Sequence, residues 1–256
     1  MTYDLRFHEC VQVKSIRYAH HFCLYLQPAL LCRDYRSSSS EDLTFTVHAL
    51  AYFDDFETYA AGTDPVDWLD TGPQNSMVED DTLFRVFDLN GENVFGTTLT
   101  QTNIHSHYMG TGVDAFSSYE YTGSMMITSA NGGIGVTFLS QYPSEDAYYR
   151  LRRHGSNSFH ISPHGTTISG TTDTGVVPVP NVWYRFVIIV EDTETRTEIR
   201  AKVWPDGTTE PADWQVNAYD NSPTRLTSGT IGVWSYSSGS KYWDDLAVNE
   251  LTPDTY

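Results

Sequence analysis

The sequence predicts an all-β fold, a two-sheet antiparallel sandwich, for the larger part of the chain. About a dozen short alternating or apolar segments are separated by clusters of Gly, Pro, Asn, Asp and Ser, which is the pattern of strands and turns. Aromatic residues make up 14% of the chain, and aromatic side chains favour strands. No segment with a period of 3.6 residues is long enough for a substantial helix.

The predicted strands are short and regularly spaced. They cover 51–57, 83–88, 94–101, 118–128, 133–140, 146–154, 157–163, 183–191, 195–204, 213–218, 229–236 and 240–248. Gly155-Ser156 is a turn signal that joins 146–154 and 157–163 as a hairpin. Since side chains alternate between the two faces of a strand, the polar residues of this hairpin share one face. They are Tyr148, Arg150, Arg152 and His160.

Residues 1–50 differ from the rest and are predicted to be an N-terminal appendage, either a leader or a disordered segment. They contain all three Cys and show no sustained period of 2 or 3.6 residues. An odd number of Cys does not make a complete disulfide framework. Residues 51–256 are predicted to form the sandwich domain. No apolar run reaches the roughly 18 residues that a membrane span needs.

The charge balance excludes one class of partner. Lys and Arg number 15 against 33 Asp and Glu, for a net charge of -18, whereas nucleic-acid binding needs basic patches. A strongly acidic chain fits a secreted protein or one that holds divalent cations. The acidity also fits a role in solubility alone.

Three motifs carry a family resemblance. They are Phe53-Asp54-Asp55-Phe56-Glu57 followed by Gly62, Pro65 and Trp68; Trp183-Tyr184-Arg185-Phe186; and Gly229-x-Ile231-Gly232-x-Trp234 followed by Tyr242-Trp243-Asp244-Asp245-Leu246-x-Val248. Over residues 51–251 the chain resembles the concanavalin A-like jelly-roll superfamily, which includes legume lectins, laminin G-like modules and laminarinase-type glucanases. The resemblance implies that the first and last strands of the domain pair.

Several members of that superfamily hold a structural calcium ion where these two strands meet, so the resemblance implies a Ca2+ site here. The implied ligands are Asp244, Asp55, Glu57 and Asp54. Calcium takes six to eight oxygen ligands, which carboxylates and backbone carbonyls supply. Simple alternation places Asp244 on the same face as Leu246 and Val248, which favours it as a ligand over Asp245. The alternative is that these acids are solvent-facing edge charges that deter aggregation.

The resemblance implies a secreted, carbohydrate-binding jelly-roll domain that takes part in glycan degradation or adhesion. Its partner would be a polysaccharide, and its oligomeric state stays open. The candidate ligand-binding residues are Glu120, Arg150, Arg152, His160, Tyr108 and Trp68. A purely structural, laminin G-like adhesive module is a further reading of the same pattern.

An enzyme acting on an anionic polysaccharide is the alternative function, and the sequence leaves the choice open. The Glu-x-Asp-x-x-Glu signature of laminarinase-type members is missing, because Glu191-Asp192-Thr193-Glu194 has the wrong spacing for two paired carboxyls. Jelly-roll polysaccharide lyases instead use Arg, His and Tyr, for which Tyr148, Arg150, Arg152 and His160 are the candidates. Arginine suits a carboxylate or sulfate group. His105 and His107 could share one side of a strand and bind a metal.

Overall fold

The computed structural model describes residues 21–26, 29–35, 45–73 and 82–251, with backbone alone for those before residue 50. The chain divides into two compact units, Met1–Ala49 and Leu50–Tyr256. In the first unit, strands β1 (His21–Leu26) and β2 (Ala29–Tyr35) pair antiparallel, and β2 also pairs with the start of β3 (Phe45–Asp54). The predicted leader or disordered segment lies largely outside the described residues and stays a prediction.

The second unit contains the remaining fourteen strands. They are β4 (Trp68–Thr71), β5 (Arg85–Asp88), β6 (Asn93–Thr97), β7 (Ile104–Tyr108), β8 (Tyr119–Ile127), β9 (Gly133–Ser140), β10 (Tyr148–Arg153), β11 (His160–His164), β12 (Ser169–Thr171), β13 (Trp183–Asp192), β14 (Thr197–Pro205), β15 (Val216–Asp220), β16 (Thr230–Tyr236) and β17 (Lys241–Glu250). The described residues include a short 3-10 helix, Val113–Ala115, and none of their helices has the length and apolarity to span a bilayer.

These strands form two antiparallel sheets, which confirms the predicted sandwich. In the second unit the larger sheet has the order β3-β17-β8-β13-β14-β15-β12, with the β5–β6 hairpin attached to β17 through β6. The smaller, six-stranded sheet has the order β11-β10-β9-β16-β7-β4. The predicted hairpin is the β10–β11 pair, in which Arg152 lies opposite His160.

Because side chains alternate between the two faces of each strand, the inner faces of both sheets pack together in a shared core. On β8, Tyr119, Tyr121, Met125 and Ile127 are buried, as their spacing predicts. The two sheets are also joined by a hydrogen bond through the core, because the Trp243 Nε1 of β17 donates to a backbone carbonyl of β9, at 3.1 Å. The fully buried Trp243 ring therefore ties the closing strand to the opposite sheet.

The closing strand β17 lies between β3 and β8, so the predicted pairing of the first and last strands of the domain is confirmed. Leu246 lies opposite Asp54 in this pair. The β17–β8 register shifts between Asp244 and Ala247, and Asp245 has a φ of 52°. This bulge interrupts the alternation. The prediction that Asp244 shares the face of Leu246 and Val248 by simple alternation is therefore wrong, because both acids of the bulge are only half-buried while both apolar side chains are fully buried.

Candidate functional site

The outer face of the six-stranded sheet, which points away from the core, carries a concentration of polar and aromatic side chains. We call it the polar face. Its members are Thr71, His105, His107, Thr137, Tyr148, Arg150, Arg152, His160, Ser162, His164 and Trp234. The strand register lines up two rows across the sheet. One row runs from Thr71 through His105, Trp234, Gly135 and Arg152 to His160, and the other contains His107, Gly232, Thr137, Arg150 and Ser162.

Two glycines at the centre of the polar face are packed so closely that neither position has room for a side chain. A Cβ on Gly232 would lie 2.6 Å from the Thr137 Oγ1, and one on Gly135 would lie 2.4 Å from a backbone oxygen of β10. His105 of β7 and Tyr148 of β10 meet although β16 and β9 separate their strands, and their ring centroids are 5.0 Å apart. The His105 Nε2 and the Tyr148 Oη are 3.5 Å apart.

The two histidines of β7 form a buried stack. The ring centroids of His105 and His107 are 5.4 Å apart with an interplanar angle of 6°, and Tyr142 stacks on His107 at 4.0 Å. Burial lowers the pKa of His107 to about 3. Burial also lowers the pKa of His105 well below its usual value, and the neighbouring His107 and Arg150 add to the effect. Both imidazoles are therefore neutral at neutral pH.

Arg150 and Arg152 bring two positive charges to the polar face. The Arg150 guanidinium lies 5.0 Å from the ring centroids of both Tyr148 and Trp234, and that of Arg152 lies 5.3 Å from the Trp234 ring. Burial lowers the pKa of Arg150 to about 10, so it stays charged at neutral pH. Arg150 Nη1 donates to the Asn103 Oδ1 at 3.3 Å. Among the described residues, neither guanidinium forms an ion pair.

Several buried polar atoms of the polar face have no hydrogen-bond partner among the described residues. They are the Nδ1 atoms of His105 and His107, the Oγ1 of Thr137, and the Nε atoms of Arg150 and Arg152. A buried polar group without a partner costs about 1–3 kcal/mol, so native proteins rarely retain one without a reason. Such a concentration on one face indicates a site that takes a polar ligand.

A small cleft opens beside the histidines. Its lining consists of Thr71, His105, His107, Ser140, Tyr142, Glu145, Asp146 and Tyr148. The cleft has a volume of about 10 Å³, which accommodates roughly one water molecule. On its rim the Asp146 carboxylate lies 3.0 Å from the His164 Nε2. A sugar ring does not fit inside, so a larger ligand has to lie along the polar face.

The structure separates the candidate ligand-binding residues into three places. Arg150, Arg152 and His160 lie on the polar face, and the His160 Nδ1 is 2.9 Å from the carbonyl oxygen of Ser158. Glu120 lies on the outer side of the larger sheet, where it accepts a hydrogen bond from Asn249 at 3.3 Å. Glu120 therefore lies on a different sheet from the arginines, which alternation along β8 does not reveal. Its role in ligand binding stays a prediction.

Trp68 and Tyr108 also lie away from the arginines. Tyr108 follows the two outward histidines on β7 by alternation, so it turns toward the inner side, where its ring is 5.8 Å from that of Trp68. Trp68 is only 3% exposed, and its Nε1 donates to the Tyr52 hydroxyl at 3.2 Å. These two rings therefore lie apart from the arginines, and their role in ligand binding stays a prediction.

The acidic residues predicted to bind calcium are close enough to influence one another. Burial raises the pKa of Asp244 to about 8, and the charges of Asp245, Asp55 and Glu57 raise it further. Burial also raises the pKa of Asp54. Among the described residues, however, no three His, Cys, Asp or Glu side chains are arranged to hold a metal ion. These side chains alone do not form a complete ion site, and calcium stays a prediction.

Sequence reasoning missed part of the polar face. The sequence indicates His105 and His107 as a possible metal-binding pair, and their i, i+2 spacing beside the apolar Ile104 also predicts two outward residues on one strand. Trp234 alternates with Ile231 and Val233, which predicts its outward position. Tyr142 lies between strands and reaches the face through the chain fold, for which the sequence contains no signal.

Comparison with known proteins shows similarity of fold. No protein-family model and no curated protein matches the chain. A solved structure of a protein of unknown function with a galectin-like fold, from Bacillus subtilis, is 12% identical, with a TM-score of 0.51 over 79% of this chain and 96% of that one. A sialidase is 11% identical, with a TM-score of 0.52 over 87% of this chain and 21% of the sialidase. The carbohydrate-binding module CBM66 from Bacillus subtilis is 10% identical, covers 75% of this chain and 100% of the module, and has a TM-score of 0.47. The first two similarities, both with a TM-score above 0.5, support the jelly-roll sandwich fold.

Proposed function

We propose that the polar face binds an acidic polysaccharide, with Arg150 and Arg152 receiving its carboxylate or sulfate groups. The observation that carries this proposal is that the two guanidiniums have only part of their possible hydrogen bonds and ion pairs. They lie two residues apart on one strand, form no ion pair among the described residues, and each has a buried Nε without a partner. A guanidinium has five N–H donors in a planar fork that matches a carboxylate.

The surroundings of the arginines favour a sugar polymer over a small anion. Six strands at a spacing of about 4.8 Å make the polar face roughly 24 Å wide, long enough for several sugar units. Aromatic side chains border both arginines and His160 lies opposite Arg152, and such groups form the hydrogen bonds and apolar contacts that sugar rings need. A secreted location, and a part in glycan degradation or adhesion, belong to the same proposal.

Replacing both arginines by glutamine tests the binding proposal. We expect the wild-type protein to be retarded in native gels that contain polygalacturonate or alginate, and the Arg150→Gln, Arg152→Gln double variant to migrate as in an empty gel. Each single variant should bind roughly tenfold more weakly, because a charge-assisted hydrogen bond contributes about 1.5–3 kcal/mol. Added salt should weaken wild-type binding, since it screens the charges.

A matched control separates the site from general charge. Arg200 lies on the larger sheet, where its Nη2 contacts the Glu191 carboxylate at 2.6 Å, so Arg200→Gln removes an equal charge away from the polar face. This variant should bind as the wild type does. Equal weakening by Arg200→Gln, or retention of binding by the double variant with an unchanged melting temperature, would contradict the proposal.

Catalysis by the same face is a second candidate, favoured by the contact between neutral His105 and the Tyr148 hydroxyl beside Arg150. In β-elimination, a base removes the proton from the carbon next to a uronate carboxylate. The electron pair forms a carbon–carbon double bond, and the bond to the glycosidic oxygen breaks as that oxygen takes a proton. Arg150 would neutralise the carboxylate, His105 would accept the first proton, and Tyr148 would donate the second.

Ultraviolet absorbance of the unsaturated product tests this candidate. If the polar face has lyase activity, at least one anionic polysaccharide in a panel should give a product that absorbs ultraviolet light. The His105→Gln and Tyr148→Phe variants should then lower the turnover rate by about 10²–10⁴-fold, the usual contribution of general acid–base catalysis. His160→Gln tests the histidine that the sequence predicts. If no polysaccharide in the panel gives a product, the lyase candidate falls and the binding proposal stands.

A further inference from the structure

A second cleft lies at one edge of the sandwich, on the inner side of the sheets. We call it the edge cleft. It lies between β3 of the larger sheet and β4, the last strand of the six-stranded sheet. Its lining consists of Ala51, Tyr52, Phe53, Asp54, Tyr59, Asp67, Trp68 and Tyr108. The edge cleft has a volume of about 320 Å³, within the range of small-molecule sites. It shares no residue with the polar face.

Aromatic rings form much of the edge cleft. The Tyr52 and Tyr108 ring centroids are 4.1 Å apart, and the Trp68 ring lies 6.3 Å from Tyr52 and 5.8 Å from Tyr108. The Trp68 Nε1 donates to the Tyr52 hydroxyl at 3.2 Å, which fixes the orientation of both rings. Tyr59 completes the set and bonds through its hydroxyl to the Asp54 carboxylate. The rings are therefore held in place before any ligand arrives.

The charges of the edge cleft have one sign. Asp54 and Asp67 are acidic, and none of the lining residues is Lys, Arg or His. The pKa of Tyr108 is raised by burial and by the same two carboxylates. The two carboxylates, with no cationic side chain in the lining, give the edge cleft a negative potential that attracts a cation.

We propose that the edge cleft binds an organic ammonium group, with the rings of Tyr52, Tyr108 and Trp68 as the aromatic wall and Asp54 and Asp67 as the anionic rim. Aromatic rings attract ammonium groups through their negative faces, and an aromatic cage is a recurrent way to bind a quaternary ammonium. Carboxylates at the rim attract the positive charge of the ammonium group. This attraction offsets the hydration free energy that the cation loses when it enters the cleft. A neutral sugar has no net charge, so the two carboxylates would not attract it in this way.

Two sources carry this chemistry: a small free ammonium compound and the side chain of a lysine on another protein. The test uses the full chain in isothermal titration calorimetry with three probes. They are choline, its uncharged analogue in which carbon replaces the nitrogen, and Nα-acetyl-lysine amide. We expect choline to bind at least roughly tenfold more tightly than the uncharged analogue, since the two differ in charge and not in shape. Tighter binding of the lysine compound than of choline would assign the edge cleft to a side chain.

Two variants locate the binding. Asp67→Asn removes one charge at an exposed position and keeps the shape, and Tyr108→Leu removes one ring. We expect choline binding to weaken several-fold in the first and roughly tenfold in the second. Asp213→Asn, an equal charge change in the connection between β14 and β15, serves as the control and should leave binding unchanged. Melting curves of all three variants establish that they are folded.

Three results would each overturn the proposal. One is equal binding of choline and its uncharged analogue, and another is binding that neither Asp67→Asn nor Tyr108→Leu weakens. The third is no heat of binding from either ammonium probe at millimolar concentration. None of them bears on polysaccharide binding, because the arginine variants of the polar face leave the lining of the edge cleft intact.

Discussion

The Trp243→Ala variant is expected to lose about 4 kcal/mol of unfolding free energy, since truncation of a fully buried Trp usually costs about 3–5 kcal/mol. Trp243 is fully buried, lies 5.9 Å from the ring centroid of Phe84, and donates its Nε1 hydrogen to the carbonyl of Gly135. The variant loses contacts on both sheets together with the bond that joins them. Urea unfolding measures the change from the shift in midpoint at constant slope.

Two further variants separate the contribution of the hydrogen bond from that of the buried ring. Trp243→Phe keeps most of the ring but removes the hydrogen bond to Gly135, and should lose about 1–2 kcal/mol. Trp214→Ala is the control, because this half-buried ring contacts Arg200 and Lys202 on the larger sheet and does not enter the core. It should lose about 1 kcal/mol. The account of Trp243 is wrong if Trp243→Ala is no less stable than Trp214→Ala.

Asp244→Asn is expected to stabilise the protein above pH 8, by about 2 kcal/mol after allowance for partial solvent screening. Burial raises the pKa of Asp244 from 3.8 to about 8, with a smaller effect from Asp245, Asp55 and Glu57. A carboxyl with a raised folded pKa binds its proton more tightly in the folded state. Its contribution is complete below pH 3.8 and is lost as the pH rises to about 8.

The pH profile of unfolding distinguishes this effect from a general change in stability. The wild-type protein should lose stability relative to Asp244→Asn between about pH 4 and 8, so the difference between the two should grow through that window. Asp206→Asn removes a different acid and should leave the profile unchanged. A difference between wild type and Asp244→Asn that does not vary with pH would contradict the assignment.

The same variant tests the calcium prediction. An ion that binds the folded state alone must raise its melting temperature. If calcium binds at the bulge of β17, it should raise the wild-type melting temperature at constant ionic strength, a chelator should lower it, and Asp244→Asn should respond much less. An unchanged midpoint with calcium and with chelator would remove the predicted site.

The sandwich could be predicted from the sequence because its signals are local. Turn residues and alternation along each segment indicate strands, and the family resemblance of the motifs in β3 and β17 implied their pairing. The bulge at Asp244 and Asp245 could not be predicted. A bulge places two residues of one strand opposite one residue of its neighbour and so reverses the direction of every side chain beyond it, but the sequence of the strand itself contains no mark of that position.

The polar face could be predicted only in part, for a related reason. Alternation places Tyr148, Arg150 and Arg152 on one side of β10, and the adjacent hairpin strand adds His160. It does not show that Glu120 belongs to the other sheet, or that His105 reaches Tyr148. Those facts depend on strand order, which arises when distant parts of the chain come together.

The contact between His105 and Tyr148 has a mechanical consequence. Since β16 and β9 separate the two side chains, their distance depends on how strongly those strands curve and twist. Val233 and Val136 support that curvature from the core, directly opposite one another in the pair. A change of volume at either valine would therefore alter the distance between His105 and Tyr148 without a direct contact to either side chain. Core packing in this way controls the geometry of the binding surface.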